Sequence, residues 1–120
     1  MNTENVTKVH LTPGEQHALC LTACHLDGKE EGERLTALWD STTCFALKDA
    51  ILKLKGMTPP EPVRLTKGEL EALASSVIWL DCQPRPERMA ALGSFARFNP
   101  LREALGKIQM ALYPEEGTPQ

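Results

Sequence analysis

Two stretches of this 120-residue chain begin alike: VHLTPGEQHAL, at Val9–Leu19, and VRLTKGELEAL, at Val63–Leu73. In each stretch a threonine precedes an apolar periodic run, and a glutamate follows it three residues later. This spacing is the capping box, in which the two side chains satisfy each other's backbone N–H groups at a helix start. Thr12 and Thr66 are therefore predicted to begin two long helices.

The likeness continues well beyond these helix starts. When the chain is aligned with itself at an offset of 54, residues 9–57 and 63–111 are identical at 16 positions without a gap. A fixed internal period indicates a repeated structural unit. We predict a single compact domain over residues 1–120, with repeat 1 at residues 9–57 and repeat 2 at residues 63–113.

Two segments lie outside these repeats. Residues 58–62 contain Pro59, Pro60 and Pro62, and prolines so closely spaced predict an extended, stiff linker. Residues 114–120, PEEGTPQ, are polar and contain proline and glycine, which predicts a flexible tail.

Each repeat is predicted to contain three helices. Leucine and alanine are frequent, aromatic residues make up only 5% of the chain, and the strand-favouring residues do not alternate. The third helices have apolar residues at the spacing i, i+3, i+4, i+7 within residues 47–54 and 101–108. Asn99 and Pro100 are expected to be the cap and the first residue of the third helix in repeat 2. The predicted fold class is all-α, a helical bundle of two tandem three-helix repeats with pseudo-two-fold symmetry.

The first helix of each repeat is apolar on two sides, which is typical of a central helix. We expect these two helices to pack together near the pseudo-two-fold axis, with the second and third helices outside them. Gly14 and Gly68 lie in the first turns and indicate the close approach of a neighbouring group. A salt bridge from Asp27 to Arg34, and another at the equivalent positions of repeat 2, is expected to pin the corner between the first and second helices.

One cluster of side chains has the chemistry of a metal site. His17, Cys20 and Cys24 fall on one face of the first helix, and zinc takes nitrogen and sulfur ligands. The equivalent residues of repeat 2 include Ala74 and Ile78, which favours the interpretation of these thiols as small buried hydrophobic groups. A nucleophilic thiol would also need a base and an oxyanion hole, which no motif supplies. We predict no metal and no cofactor, and keep these three residues as a weak candidate.

The two repeats differ in charge. Residues 9–57 carry five basic and seven acidic side chains, and residues 63–111 carry seven basic and five acidic ones. Basic residues interleaved with aromatic residues can bind single-stranded nucleic acid, although a solvated helix face explains them equally well. The residues concerned in repeat 2 are Arg85, Arg88, Arg97 and Arg102, with Phe95 and Phe98 between them.

The two tryptophans break the internal likeness. Trp39 is equivalent to Gly93, and Trp79 is equivalent to His25. Tryptophan is a favoured anchor residue of protein interfaces, but each tryptophan could instead fill a gap in the core. The sequence leaves these two alternatives open.

No phosphate-binding loop, pair of catalytic carboxylates or catalytic triad is evident in the sequence. The predicted function is a non-enzymatic protein-binding helical module: an adaptor, regulator, inhibitor or small subunit of a larger assembly. It is expected to act as a monomer or homodimer. The candidate partner-binding residues are Trp39, Trp79, Arg85, Arg88, Arg97 and Phe95. The alternatives are a nucleic-acid-binding accessory protein that uses repeat 2, and a thiol or metal protein that uses His17, Cys20 and Cys24.

The expected location is the cytoplasm. The first ten residues, MNTENVTKVH, lack the apolar segment of a signal peptide, and no apolar run is long enough to span a bilayer. The four cysteines are then expected to be reduced thiols.

Overall fold

The computed structural model describes residues 6–58 and 61–113, and this part of the chain is mostly helical, with a small antiparallel sheet. The tail at residues 114–120 and the middle of the linker at residues 58–62 lie outside the described residues. Within the described ranges, no helix combines the length and the apolar character that crossing a membrane requires. The elements are β1 (Val6–Val9), α1 (Pro13–Asp27), α2 (Glu31–Leu38), α3 (Ser41–Gly56), β2 (Val63–Thr66), α4 (Lys67–Asp81), α5 (Arg85–Leu92) and α6 (Phe98–Leu112), with a 3₁₀ turn at Phe95–Arg97 before α6.

The starts of the first helices are as predicted. Thr12 caps α1 and Thr66 caps α4, and each takes part in a complete capping box with the glutamate three residues later. The bounds of α4 and α5 equal those of α1 and α2 shifted by 54 residues. The pseudo-two-fold relation between the two repeats stays a prediction.

The sheet was not expected from the sequence, so the all-α prediction is incomplete. β1 and β2 pair antiparallel, with Val9 opposite Val63 and Lys8 opposite Arg64. The alternation that marks a strand is only four residues long: Val63 and Leu65 are buried, and Arg64 between them is exposed. So short a pattern is weak in a single sequence, because most of a strand's stability comes from packing and from a partner that is distant along the chain.

The start of the third helix in repeat 2 also differs from the prediction. Asn99 and Pro100 lie inside the first turn of α6, and Ser94 caps the preceding 3₁₀ turn by accepting a hydrogen bond from the N–H of Ala96. Proline is tolerated in a first turn because the backbone N–H it lacks would have no partner within the helix there. The equivalent residue of repeat 1, Asp40, caps α3.

The corner between the first and second helices is held differently from the predicted salt bridge. Arg34 donates to the backbone carbonyl of Lys29, and Arg88 donates to the equivalent carbonyl, that of Gln83. The carboxylate of Asp27 pairs with Lys48 on α3 instead. Lys29 and Gln83 lie two residues beyond the ends of α1 and α4, so each arginine bonds to a carbonyl of the connecting turn and holds the corner there.

The core lies around α1 and α4. These two helices contact each other, and each also contacts both α3 and α6. Their shared apolar faces are fully buried and include Leu19 and Leu26 on α1 and Leu73 and Leu80 on α4. The first helix of each repeat is therefore sheltered by the third helix of both repeats, which explains why the apolar residues occupy two sides.

Two buried glutamates connect the repeats. Glu15 accepts from Lys107 on α6 at 2.6 Å, and Glu69 accepts from Lys53 on α3 at 2.7 Å. The side chains of both glutamates are more than nine-tenths buried. Each carboxylate also accepts from the N–H of its capping threonine, at 3.0 Å and 2.8 Å. Each ion pair thus joins the start of one repeat's first helix to the third helix of the other repeat.

The two first-turn glycines lie at the same contacts. A Cβ added to Gly14 would lie 3.9 Å from Pro100 of α6, and one added to Gly68 would lie 3.8 Å from Ala46 of α3. A neighbouring side chain lies beside each glycine, but not as closely as the sequence interpretation requires. These distances are ordinary van der Waals contacts, so the approach excludes larger side chains but leaves room for alanine.

We expect Glu15→Gln and Glu69→Gln each to lower the free energy of unfolding by about 2 kcal/mol, because a buried charge-assisted hydrogen bond is lost. Urea titration measures this, and the exposed Glu71→Gln on α4 is the control. Burial alone would raise the pKa of Glu15, but the bonds from Lys107 and the Thr12 backbone outweigh it and hold that pKa below the usual 4.5.

The contribution of Glu15 is therefore complete above about pH 4.5 and is lost as the pH falls through its folded-state pKa. The stability difference between the wild type and Glu15→Gln should shrink in acid. A difference that stays constant from neutral pH to pH 3 would contradict this account.

Candidate functional site

Trp39 lies at a turn whose backbone suits glycine. It follows α2 with φ 80° and ψ −42°, and the equivalent Gly93 follows α5 with φ 77°. Both N–H groups donate back to the helix at 2.7 Å, Trp39 to Leu35 and Gly93 to Met89. Only glycine adopts a positive φ freely, because a Cβ then crowds the backbone. Among the described residues, Trp39 is the one non-glycine with a positive φ.

The side chain of Trp39 gains little from burial. It is 81% exposed, the largest exposed fraction among the large hydrophobic side chains of the described chain. A tryptophan normally contributes to stability by burying its large apolar surface. The strained backbone of Trp39 is therefore not offset by packing within this chain.

A cleft of about 320 Å³ opens beside Trp39, between α2, α3, α4 and α6. Its other large apolar groups are Ile78 on α4, which is 49% exposed, and Tyr113 after α6, which is 50% exposed. We call it the Trp39 cleft, and it is lined by Trp39, Thr43, Glu71, Ala74, Ser75, Ile78, Gln109, Leu112 and Tyr113.

Two acidic residues lie in or next to the Trp39 cleft: Glu71 belongs to its lining, and Asp40 directly follows Trp39 in the chain. Asp40 accepts hydrogen bonds from the backbone N–H and the hydroxyl of Thr43, both at 2.8 Å, and these bonds hold the pKa of Asp40 below its usual value. Glu71 is exposed on the opposite wall. The cleft can therefore take an apolar group, and the charges around it favour a cation beside that group.

The second tryptophan has a different environment. Trp79 is half-buried and packs against the hydrophobic core. Its ring centre lies 6.1 Å from that of His25, the equivalent residue of repeat 1. His25 Nε2 in turn lies 2.8 Å from a carboxylate oxygen of Glu87 on α5. Trp79 therefore contributes to packing between α1 and α4, and Trp39 is the tryptophan that the fold leaves outside.

The three residues of the thiol cluster differ in their exposure. Cys20 and Cys24 are half-buried on α1, and His17 is exposed beside a small pocket of about 260 Å³. No group of three or more histidine, cysteine or acidic side chains suited to a metal occurs in residues 6–58 and 61–113. Burial, with Cys24 nearby, raises the pKa of Cys20 to about 11. Near neutral pH that thiol is protonated, which makes it a poor nucleophile.

The four arginines of repeat 2 that are interleaved with phenylalanines all have partners within the chain. Arg88 and Arg97 donate to backbone carbonyls near the ends of α4 and α5, at 3.1 Å and 2.6 Å. Arg85 lies over the ring of Phe95 at 4.6 Å, and Arg102 lies 3.9 Å from a carboxylate at the end of α4. These contacts account for the arginines structurally, and nucleic-acid binding stays an alternative prediction.

The sequence indicated only part of the Trp39 cleft. The mismatch between Trp39 and Gly93 was visible, because the two residues occupy equivalent positions. Ile78 and Tyr113 were not singled out, since Ile78 was assigned to a central helix and Tyr113 follows the last helix. An apolar residue facing away from the main stripe of α4 was the one available signal for Ile78.

We expect the free energy of unfolding of Trp39→Gly to exceed that of Trp39→Ala by about 1 kcal/mol, because alanine keeps the Cβ that strains this turn. Urea titration of the two variants measures this difference. The reciprocal change, Gly93→Ala, should destabilise the protein, since a Cβ there would also lie 3.2 Å from Arg97 Nη1. Equal stability of the two Trp39 variants would show that the turn is not strained.

The cysteines are expected to differ in the rate at which their thiols react. At pH 7.5 iodoacetamide is expected to modify the exposed Cys82 at least tenfold faster than Cys20, whose pKa is raised to about 11. Peptide mass spectrometry of the native protein over time measures both rates. A faster reaction at Cys20 would favour the thiol hypothesis, and zinc that co-purifies stoichiometrically would favour the metal hypothesis.

Comparison with known proteins identifies no relative. No protein-family model matches the chain, and neither the curated proteins nor the solved structures compared with it contain a match. The Trp39 cleft is therefore interpreted only from the contacts of its own residues.

Proposed function

We propose that this chain is a non-enzymatic protein-binding module, an adaptor, regulator, inhibitor or small subunit of a larger assembly, and that the Trp39 cleft binds its partner. The observation that carries this proposal is Trp39 itself, which combines a strained backbone with a side chain that is 81% exposed. Strain of this kind is typical of functional positions. A tryptophan that contributes so little to its own fold is well suited to contribute at an interface.

The chemistry of the cleft defines the partner that would fit it. Trp39, Ile78 and Tyr113 offer an apolar surface for a large aliphatic or aromatic side chain. Asp40 and Glu71 favour a lysine or arginine next to that side chain. The proposed partner is therefore a protein that presents an apolar anchor flanked by basic residues.

We further propose that the two repeats are related by a pseudo-two-fold axis. The crossed pairs, Glu15 with Lys107 and Glu69 with Lys53, support this relation because they join equivalent residues in opposite order. The contact between His25 and Trp79, also equivalent residues, supports an axis that passes between α1 and α4. Similar destabilisation by Glu15→Gln and Glu69→Gln is expected from such an arrangement.

A cytoplasmic location and a monomeric or homodimeric state belong to the same proposal. The four cysteines are free thiols in the structure, which fits a reducing compartment. Fractionation of the source cell tests the location, and sedimentation of the purified protein tests the oligomeric state.

Affinity capture from a lysate of the source cell tests the binding surface. We expect Trp39→Gly to recover at least tenfold less of a specific partner than the wild type, the loss typical of an interface anchor. Because this variant should fold at least as stably as Trp39→Ala, its loss of binding would not come from unfolding. Phe45→Ala is the matched control, because Phe45 is an exposed aromatic residue, 66% exposed, outside the cleft.

Two results would contradict the proposal. One is equal recovery of partners by the wild type and Trp39→Gly. The other is the capture of nucleic acid that is released steeply by moderate salt and depends on Arg85 rather than Trp39. The second result would favour the nucleic-acid-binding alternative.

A further inference from the structure

A second surface depression lies between β1 and α6, apart from the Trp39 cleft, with which it shares no lining residue. Its volume is about 870 Å³. Consecutive residues 7–10 of β1 and the segment after it form one wall, and Gly106, Lys107 and Met110 of α6 belong to the other. We call it the β1–α6 groove. It follows three of the four residues of the strand, Thr7 to Val9.

The strand along this groove has an unpaired edge. In the part of the chain that the structure describes, the sheet has two strands, so β1 pairs with β2 on one side only. The alternate N–H and C=O groups on the other side of β1 are free to bond to a further strand. Val6, Thr7 and Lys8 are exposed, which leaves this edge accessible.

Gly106 makes room beside that edge. It lies in the interior of α6, where glycine lowers helix stability relative to alanine. A Cβ added there would meet no atom within 4 Å, so no contact within the described chain requires a glycine. The equivalent residue of α3 is Leu52, which carries a full side chain that is 68% exposed. Glycine at this position lets the backbone of a ligand approach α6 closely.

The remaining surfaces of the groove add apolar contact. Met110 lines the groove on the α6 side and is 63% exposed. Methionine is flexible and polarisable, and it adapts to different apolar side chains at binding surfaces. Alternate side chains of an added strand would therefore meet an apolar surface on the α6 side.

The charges along the strand favour an acidic ligand. Lys8 lies directly opposite Arg64 on β2, and both side chains are exposed. Like charges in facing positions of a sheet repel each other, and neither residue forms an ion pair within residues 6–58 and 61–113. Lys107 is already neutralised by Glu15, at 2.6 Å. Glu103, the other acidic residue of the groove, lies on α6, one turn before Lys107. The charge on the strand side of the groove is therefore that of Lys8.

We propose that the β1–α6 groove binds an extended, acidic peptide segment of a partner protein, which adds to the free edge of β1 as a third strand. Main-chain hydrogen bonds to β1 hold the segment, the space at Gly106 accommodates its backbone, and an acidic side chain pairs with Lys8. Strand addition of this kind draws its affinity from the backbone and its specificity from alternate side chains. This site does not depend on the Trp39 cleft.

Fluorescence anisotropy with the full chain tests the proposal. The probe is a labelled, acetyl-capped six-residue peptide that alternates valine and glutamate, and its match alternates valine and lysine. The glutamate peptide should bind at least tenfold more tightly than the lysine peptide. N-methylation of the alternate peptide groups that face β1 should weaken binding at least tenfold, whereas methylation of the other groups should have little effect.

Variants locate the site. Gly106→Leu should weaken binding of the glutamate peptide at least tenfold, and it strengthens rather than weakens helix propensity, so the loss would not reflect unfolding. Leu52→Ala, at the equivalent position of α3, is the matched control and should bind normally. Lys8→Glu should reverse the preference between the two peptides.

Four results would overturn the proposal. The first is the absence of saturable binding of either peptide up to about 1 mM. The second is binding that Gly106→Leu and N-methylation leave unchanged. The third is displacement of the glutamate peptide by a short DNA duplex whose binding depends on Lys8 and Arg64. That result would make the β1–β2 sheet a nucleic-acid surface. The fourth is a homodimer that Gly106→Leu dissociates, because a second copy would then occupy the groove.

Discussion

The fold depends on two buried carboxylates that each perform two tasks. Glu15 and Glu69 complete the capping boxes of α1 and α4, and each also binds a lysine from the third helix of the other repeat. A buried charge is costly unless it is paired and hydrogen-bonded. Each carboxylate is satisfied only when its own helix has started and the other repeat has docked. Helix initiation and association of the repeats are therefore coupled through the same side chains.

Exposed residues differ between the two repeats even at positions where the local backbone is similar. The residue after the second helix has a positive φ in both repeats, yet it is Trp39 in one and Gly93 in the other. The exposed face of the third helix carries Leu52 in one and Gly106 in the other. Neither difference disturbs the core, because Trp39 and Leu52 are exposed and the two glycines have no side chain to bury. Divergence at such positions changes what the chain can bind at little cost to its stability.

Interactions over three or four residues could be predicted from the sequence. Thr12 and Thr66 were recognisable as caps because the capping box is local, and the apolar spacing identified the faces of α1 and α4 that lie in the core. Three features were not predicted: the strands, the hydrogen bonds from Arg34 and Arg88 to backbone carbonyls, and the start of α6. A four-residue strand is decided by its partner, and a long arginine side chain reaches a carboxylate and a carbonyl equally well. Ile78 and Tyr113 were not predicted as part of the candidate site, because they lie next to Trp39 in space but far from it along the chain.

The sequence by itself determined the helical character of the chain, the starts of its first helices, the likeness between residues 9–57 and 63–111, and the position where a tryptophan is aligned with a glycine. Only the tertiary structure decided that Lys107 meets Glu15 and Lys53 meets Glu69, that β1 and β2 pair, and that Trp39 is exposed whereas Trp79 is half-buried. The physical reason is the range of the interactions. Caps and helical periodicity act within a turn or two of the backbone, whereas exposure and ion pairing depend on how distant helices pack.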